Sequence, residues 1–263
     1  MPVSLAVLIL VCVGAVVWML AFYGLRRMFR VAAIADVGWA LGLGLAAVMY
    51  AYTGTGDPLR RLLLGLCAGG WGFRLGFFLL RDRVFSGQED GRYTSLMNSW
   101  GANAERKLFR LFLAQSLFIV LFSLPFLPVV GSAVRPMTGW DMLAIVVFLT
   151  AVLGESLADR QLALWRTNPG NRGRTCRSGL WRYSRHPNYF FEWIHWWTYV
   201  FLAVGASWWY MTFLGPALML FILYRVTGIP YTEAQALKSR GEDYAQYRET
   251  TSPFFPWFPR RPN

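Results

Sequence analysis

The chain has 263 residues, of which 56% are hydrophobic and 15% charged, and its formal net charge is +12. A mean hydropathy of +0.36 excludes an ordinary soluble domain of this length and indicates a polytopic membrane protein. In a membrane protein, positive charge sets the orientation of the spans and attracts anionic lipid. Nucleic acid is therefore a poor candidate for its partner.

Apolar runs long enough to cross the hydrocarbon core, which takes about 20 residues, define the predicted elements. They lie at 3–24, 31–53, 62–80, 109–130, 141–164, 189–205 and 207–224. No positive charge precedes the first run, and it is too long for a cleavable signal, so we expect it to remain as a span. The sequence therefore predicts an all-α fold with seven transmembrane helices.

Lysine and arginine separate cleanly between the two sides of this arrangement. Most of them lie in 25–30, 81–110, 160–185 and 225–263, whereas the opposite side keeps Arg60, Arg61 and Arg135. The positive-inside rule then places the N-terminus outside and the C-terminus in the cytoplasm.

The long cytoplasmic segments are too short to fold alone. We expect one membrane-embedded domain, with substrate-side helices in 1–130 and with cofactor-binding helices and a cytoplasmic cap in 139–263.

Ionisable residues inside spans are costly and usually face a cavity or a partner. Asp36 lies near the cytoplasmic end of the second predicted span, and Arg74 lies near that end of the third. The two either form a structural pair or contact a substrate or cofactor.

Two further spans carry polar stripes at helical spacing. Glu155, Asp159 and Arg166 follow one another at four and seven residues on the fifth span. Asn188, Glu192, His195 and Tyr199 form the stripe of the sixth span. Both stripes open toward the cytoplasm, although a histidine such as His195, taken alone, is more often a hydrogen-bonded core residue than a catalytic one. Together the two stripes predict a polar pocket at the cytoplasmic ends of the fifth to seventh spans.

The segment "RTNPGNRGRTCRSG" (166–179) is rich in turn-forming residues and arginine. It either presents backbone N–H groups and guanidinium groups to an anion or is a plain connector. It is no dinucleotide fingerprint, because no strand precedes it. Three scattered cysteines and two histidines predict neither a disulfide framework nor a metal site.

Several motifs resemble one known family. "GLWRYSRHPNYFFEW" (179–193) and "RGEDYAQYRETTSPFFPWFPR" (240–260) are the most specific, and "ADVGWALG" (35–42), "WGFRLGFFLLRDR" (71–83) and "EDGRY" (89–93) agree with them. The chain resembles the bacterial DUF1295 proteins of the steroid 5-alpha-reductase superfamily. This resemblance implies a multi-pass protein of the bacterial inner membrane, NADPH as cofactor, and reduction of a carbon–carbon double bond conjugated to a ketone. It implies a lipid-like substrate and no obligate protein partner.

The resemblance also implies site residues. Glu155 falls where the steroid reductases have a cofactor-contacting asparagine, while Asp159 and Arg166 match an aspartate and an arginine. Asn188 and Glu192 match the family's N-x-x-x-E pattern, and Arg225 matches the arginine of the last span. The full set expected at the cofactor is Arg74, Arg92, Glu155, Asp159, Arg166, Arg182, Tyr183, Arg185, His186, Asn188, Glu192, Arg225, Glu233 and Tyr244.

The substrate side departs from the steroid reductases. Those enzymes hold the substrate ketone with a glutamine-glutamate pair and a tyrosine, and the nearest positions here are Asp36 and Trp71. Because indole cannot act as a phenolic acid, we expect Asp36 and Tyr93 to form the acid pair. Trp39, Trp71 and His195 are then expected to contact the substrate.

Two other functions stay open. "RHPNY" and "GEDYAQY" also resemble membrane methyltransferases of the isoprenylcysteine type, which use S-adenosylmethionine. That cofactor is nearly neutral and does not call for so many arginines, and Glu233 stands alone where those enzymes tend to have a Glu-Glu pair. The missing tyrosine also permits a lipid binder without catalytic activity.

Overall fold

The computed structural model describes residues 2–85, 87, 89–134, 138–226 and 228–260, and every regular element in these ranges is helical. The all-α prediction is therefore confirmed. The α-helices are α1 (Leu5–Phe29), α2 (Ile34–Thr53), α3 (Pro58–Leu64), α4 (Gly70–Leu79), α5 (Gly91–Trp100), α6 (Ala104–Ser123), α7 (Phe126–Val130), α8 (Gly139–Thr167), α9 (Pro187–Leu202), α10 (Leu214–Phe221), α11 (Ile229–Arg240) and α12 (Glu242–Thr250).

Five segments within the described residues are long and apolar enough to cross a membrane, which confirms the membrane character of the chain. They are Leu5–Phe29, Ile34–Thr53, Pro58–Val84, Gly139–Thr167 and Trp209–Arg240. The predicted spans 109–130 and 189–205 fall on α6 with α7 and on α9. The first turns of α6 are charged, and α9 has only 16 residues. Seven spans, the orientation of the termini and the particular membrane stay predictions.

The segment Pro58–Val84 is continuous but not uniform. Two π-helical turns, Gly65–Gly69 and Leu80–Val84, follow α3 and α4. A third π-helical turn, Ile222–Val226, follows α10. A π-helical turn contains more residues than an α-helical turn. The side chains that follow it therefore lie on a different face from the one that the regular α-helical period predicts.

The chain divides into two compact units, and the first comprises Met1–Asp141 and Tyr199–Gly215. Within it, α2 packs against α1, α4 and α6. The approach of α2 to α4 is close enough that a Cβ atom at Gly72 would lie 2.8 Å from the carbonyl oxygen of Ala40 and 2.8 Å from the Cα atom of Gly44. Small residues at such a crossing let two membrane helices pack backbone to backbone.

Arg60, which charge counting placed on the side opposite the cytoplasm, is fully buried in this first unit. The helix begins before the predicted 62, because the Asp57 carboxylate accepts hydrogen bonds from the backbone N–H groups of Leu59 and Arg60 and Pro58 occupies the first turn. The Arg60 guanidinium donates to Asp141 Oδ2 at 3.2 Å and to the carbonyl of Leu202. Arg135, expected on the same side, lies outside the described ranges.

The second unit comprises Met142–Thr198 and Pro216–Asn263. The Trp181 indole donates to the carbonyl of Ala158 at 2.9 Å, and the Trp193 indole donates to the carbonyl of Pro216 at 3.1 Å. Residues 199–215 belong to the first unit although in sequence they lie between the two segments of the second. The predicted division into 1–130 and 139–263 did not anticipate this return, and it stays a prediction about function.

Candidate functional site

The first unit brings the two residues of the predicted acid pair together. The Tyr93 hydroxyl donates a hydrogen bond of 2.8 Å to Asp36 Oδ1. The other oxygen, Oδ2, accepts from Arg83 Nη1 at 2.5 Å and from Arg92 Nη2 at 2.9 Å. Asp36 therefore acts as an acceptor on both oxygens, and two guanidinium groups stabilise its charge.

The segment that precedes α5 builds this arrangement. Asp90 caps α5 by accepting a hydrogen bond from the Arg92 backbone N–H at 2.8 Å, and its carboxylate also pairs with Arg83 at 3.3 Å. The Glu89 carboxylate accepts from the backbone N–H groups of Ala32 and Ala33, where α2 begins. We call Asp36, Arg83, Asp90, Arg92 and Tyr93 the Asp36 cluster.

Two groups of this cluster have displaced proton affinities. Burial would raise the pKa of Asp90, but the charges of Arg92 and Arg83 outweigh it and lower the pKa to about 2. Burial, followed by the neighbouring Asp36 charge, raises the pKa of Tyr93 well above its ordinary value. The cluster thus holds an ionised Asp90 beside a Tyr93 that keeps its proton at neutral pH.

Sequence reasoning did not assign Arg83, Glu89 or Asp90 to the site. The signal was present, because "RDR" and "EDGRY" place unlike charges about seven residues apart in one cytoplasmic segment. What the sequence could not show is that Arg83 lies in a π-helical turn and reaches α2.

The residues expected near the substrate in this unit are partly adjacent. The rings of Trp39 and Trp71 meet edge to face with centroids 6.0 Å apart, and Trp71 is buried. Arg74 lies one turn further along α4 and is half-buried.

The two predicted polar stripes lie within the second unit, except for Tyr199, which belongs to the first. Asn188 Nδ2 donates to Asp159 Oδ1 at 3.1 Å and so joins α9 to α8. Glu155 is buried on α8, and Glu192 is half-buried on α9. His195 is fully buried against the rings of Phe148 and Trp196, as a core histidine would be.

Arg166 lies at a cavity of about 560 Å³ where α8 ends and the following loop turns back. Arg172 and Arg174, from the segment expected either to face an anion or to be a plain connector, line the same cavity together with Arg240, which was not predicted. No acidic residue is among the lining residues that the structure describes. We call this the arginine cavity. Its full lining is Leu162, Trp165, Arg166, Thr167, Asn168, Pro169, Asn171, Arg172, Gly173, Arg174, Cys176 and Arg240.

The motif "RHP" forms an internal brace instead of an open surface. Arg185 Nε donates to Glu233 Oε1 at 2.7 Å, and its Nη1 donates to the carbonyls of Arg248 and Thr251 at 2.8 and 2.7 Å. The His186 ring lies 3.4 Å from the same Glu233 oxygen. Burial lowers the pKa of His186, although Glu233 acts in the opposite direction. The structure therefore shows Arg185, His186 and Glu233 engaged with the C-terminal helices.

The remaining expected cofactor residues of this unit occupy varied positions. Arg182 is exposed and lies over the Tyr183 ring, 6.0 Å from its centroid. Tyr244 is buried against Tyr247, and burial raises its pKa to about 12. Arg225 is exposed in the π-helical turn Ile222–Val226.

Fold and charge together define a helical membrane protein with a half-buried aspartate paired to a buried tyrosine in one unit and an arginine-lined cavity in the other. The chain belongs to the family described as "Protein of unknown function (DUF1295)", whose model matches residues 22–251. This family is part of the steroid 5-alpha-reductase-like group. No curated protein and no solved structure matches the chain.

Proposed function

We propose that the protein is a membrane oxidoreductase that uses NADPH to reduce a carbon–carbon double bond conjugated to a ketone in a lipid-like substrate. Membership of the DUF1295 family is compatible with this activity. NADPH supplies a hydride when it is bound, and the chain's own residues provide binding, orientation and electrostatic stabilisation.

The arginine cavity is the observation that carries the proposal. Four guanidinium groups converge on a space that is large enough for part of a nucleotide and is lined by no described acidic residue. Guanidinium groups bind phosphate through paired hydrogen bonds, and the phosphates of NADPH supply several negative charges. S-adenosylmethionine, which the methyltransferase alternative requires, has no phosphate.

The Asp36 cluster fits the second chemical requirement of the reaction. Negative charge develops on the substrate oxygen during reduction of an enone, and a donor at that oxygen stabilises it. The Tyr93 hydroxyl is such a donor, because burial and Asp36 raise its pKa and it keeps its proton. In the structure this hydroxyl donates its one proton to Asp36 Oδ1, so the O–H must turn to the substrate oxygen to act as donor there. Asp36, which is fixed by Arg83 and Arg92, holds the hydroxyl in position beforehand. Tyr93 is thus the proposed donor and Asp36 its positioning residue.

Ligand-dependent melting tests the choice of cofactor. A ligand that binds only the folded state raises the melting temperature of the purified protein by mass action. We expect a rise with NADPH and NADP⁺ and none with S-adenosylmethionine. The opposite pattern would overturn the reductase and favour the methyltransferase.

An activity panel tests the reaction itself. NADPH consumption is followed with steroid, fatty-acyl and isoprenoid enones in detergent, and product is identified by mass. We expect at least one enone to gain two hydrogen atoms. Binding of NADPH without reduction of any of these enones would favour a lipid binder without catalytic activity.

A further inference from the structure

Many arginines of this protein donate hydrogen bonds to carboxylates or carbonyls. The arginines of the arginine cavity differ from them. Arg60, Arg92 and Arg185 are examples of engaged arginines. By contrast, the guanidinium groups of Arg166 and Arg174, and likewise that of Arg172, form no hydrogen bond or ion pair with any residue that the structure describes. Their charges are therefore available to a ligand.

Hydrogen bonds that do not use these guanidinium groups hold the cavity wall in place. Asn171 Nδ2 donates to the carbonyl of Trp165 at 2.9 Å, and the Asn168 side chain accepts from the Gly170 N–H at 2.9 Å. The Thr175 N–H donates to Asp243 Oδ2 at 2.6 Å and so ties the end of the loop to α12. The loop is thus preorganised, and neutralising its arginines should leave its backbone in place.

The lining favours one class of anion. Like charges that share a cavity repel one another, so a ligand with two or more negative charges is stabilised there more than one with a single charge. A phosphate monoester supplies a dianion whose oxygens fit guanidinium forks. The Trp165 indole is among the lining residues of the same cavity, and an indole is a side chain on which a base can stack. A phosphate monoester attached to a nucleoside satisfies both features.

We propose that the arginine cavity binds the adenosine end of NADPH and that Arg172, Arg174 and Arg240 recognise its 2′-phosphate. These residues then set the preference for NADPH over NADH, which lacks that phosphate. The inference rests on the proposed function, but it concerns only the choice between the two nicotinamide cofactors.

The test compares cofactor affinities of the full-length protein in neutral detergent. Dissociation constants are measured for NADPH, NADH, adenosine 2′,5′-bisphosphate and 5′-AMP. Because a hydrogen bond to a charged group is worth a factor of about 10 or more, we expect Arg174→Gln and Arg240→Gln each to weaken NADPH and the bisphosphate about 10-fold. Binding of NADH and 5′-AMP should stay unchanged. Arg160→Gln, an exposed arginine on α8 outside the cavity, is the matched control and should change nothing.

Three results would overturn the inference. If NADPH and NADH bind equally well and the variants weaken both alike, the 2′-phosphate is not recognised here, and the reductase proposal survives. If neither dinucleotide binds, the proposed function fails with it. If nanodiscs of phosphatidylglycerol raise the melting temperature relative to phosphatidylcholine, and both variants abolish that rise while the bisphosphate has no effect, the cavity binds a lipid headgroup. Melting of each variant without ligand verifies that it is folded.

Discussion

At the scale of single residues, the hydrogen bonds on Asp36 bear on which residue of the proposed acid pair has a proton to donate. Its carboxylate accepts from Tyr93, Arg83 and Arg92. Both Asp36 oxygens are thus occupied as acceptors, whereas the Tyr93 hydroxyl has a proton and keeps it at neutral pH because burial raises its pKa. Sequence reasoning found the pair but could not assign these roles, because they depend on which groups contact each oxygen.

Replacement of the Tyr93 hydroxyl tests its role as donor. We expect Tyr93→Phe to lower the rate of enone reduction about 100-fold or more while NADPH affinity is retained, because general acid groups contribute on this scale. Since the pKa of Tyr93 is raised, deprotonation of this group should not lower the wild-type rate below about pH 10. The rate of enone reduction is measured for Tyr93→Phe, with Tyr52→Phe at an exposed tyrosine as the control. A wild-type rate in Tyr93→Phe would contradict the assignment.

Asp90 gives the cluster a pH dependence of stability. Its folded pKa of about 2 lies below the ordinary 3.8, so its contribution is fully present above about pH 4 and is lost as the pH falls through 2. We expect Asp90→Asn to reduce the free energy of unfolding by about 2 kcal/mol at pH 7. The difference from wild type should shrink between pH 4 and pH 2. Unfolding across this range measures it, and the exposed Asp82→Asn should show no such trend.

At the scale of elements, the crossing of α2 and α4 depends on missing side chains. Gly72 faces the backbone of α2, and backbone atoms cannot move aside as a flexible side chain can. Gly70, two residues earlier on the same helix, has no atom within 4 Å of the position of an added Cβ. The two glycines therefore form a matched pair.

We expect Gly72→Ala to destabilise the protein by about 1–3 kcal/mol, because the new methyl group forces the helices apart. Gly70→Ala should be neutral or stabilise by up to about 1 kcal/mol through helix propensity. Thermal unfolding in detergent distinguishes the two variants. Equal melting temperatures would show that this crossing is not tightly packed.

The elements also show where prediction from sequence succeeds and where it ends. Uniform hydropathy was sufficient to locate the segments Leu5–Phe29, Ile34–Thr53 and Gly139–Thr167 to within a few residues. Local pattern could not locate the π-helical turn Leu80–Val84, since its extra residue depends on tertiary packing. Arg83 was missed for this reason. Arg172 and Arg174 lie in a segment for which an anion-facing role was one of two open interpretations, and Arg240 was missed because a loop and a distant helix end meet only in the folded unit.

At the scale of the whole molecule, a fully buried ion pair joins distant parts of the first unit. Arg60 and Asp141 each have a side-chain exposure of 0%, and Thr138 donates to the same Asp141 oxygen from its N–H at 2.8 Å and its hydroxyl at 2.9 Å. Charge counting placed Arg60 on the non-cytoplasmic side, and the sequence alone gave no partner for it.

We expect Arg60→Met to lower the free energy of unfolding by about 3–5 kcal/mol, because it leaves the Asp141 charge buried and unpaired. The double variant Arg60→Met, Asp141→Leu should lose much less than the sum of the two single variants. Unfolding of all four proteins completes a double-mutant cycle. Strict additivity would show that the two side chains do not stabilise each other.

The Arg60–Asp141 pair also imposes a delay during biosynthesis. The partners are 81 residues apart, and the Leu202 carbonyl that completes the site follows Arg60 by 142 residues. At a synthesis rate of about 5–20 residues per second, Arg60 emerges about 4–16 s before Asp141. During that interval a guanidinium group at the start of a hydrophobic helix must be kept in water or inside the insertion machinery. The segment Pro58–Val84 can therefore settle fully only after much of the chain that follows it has been made.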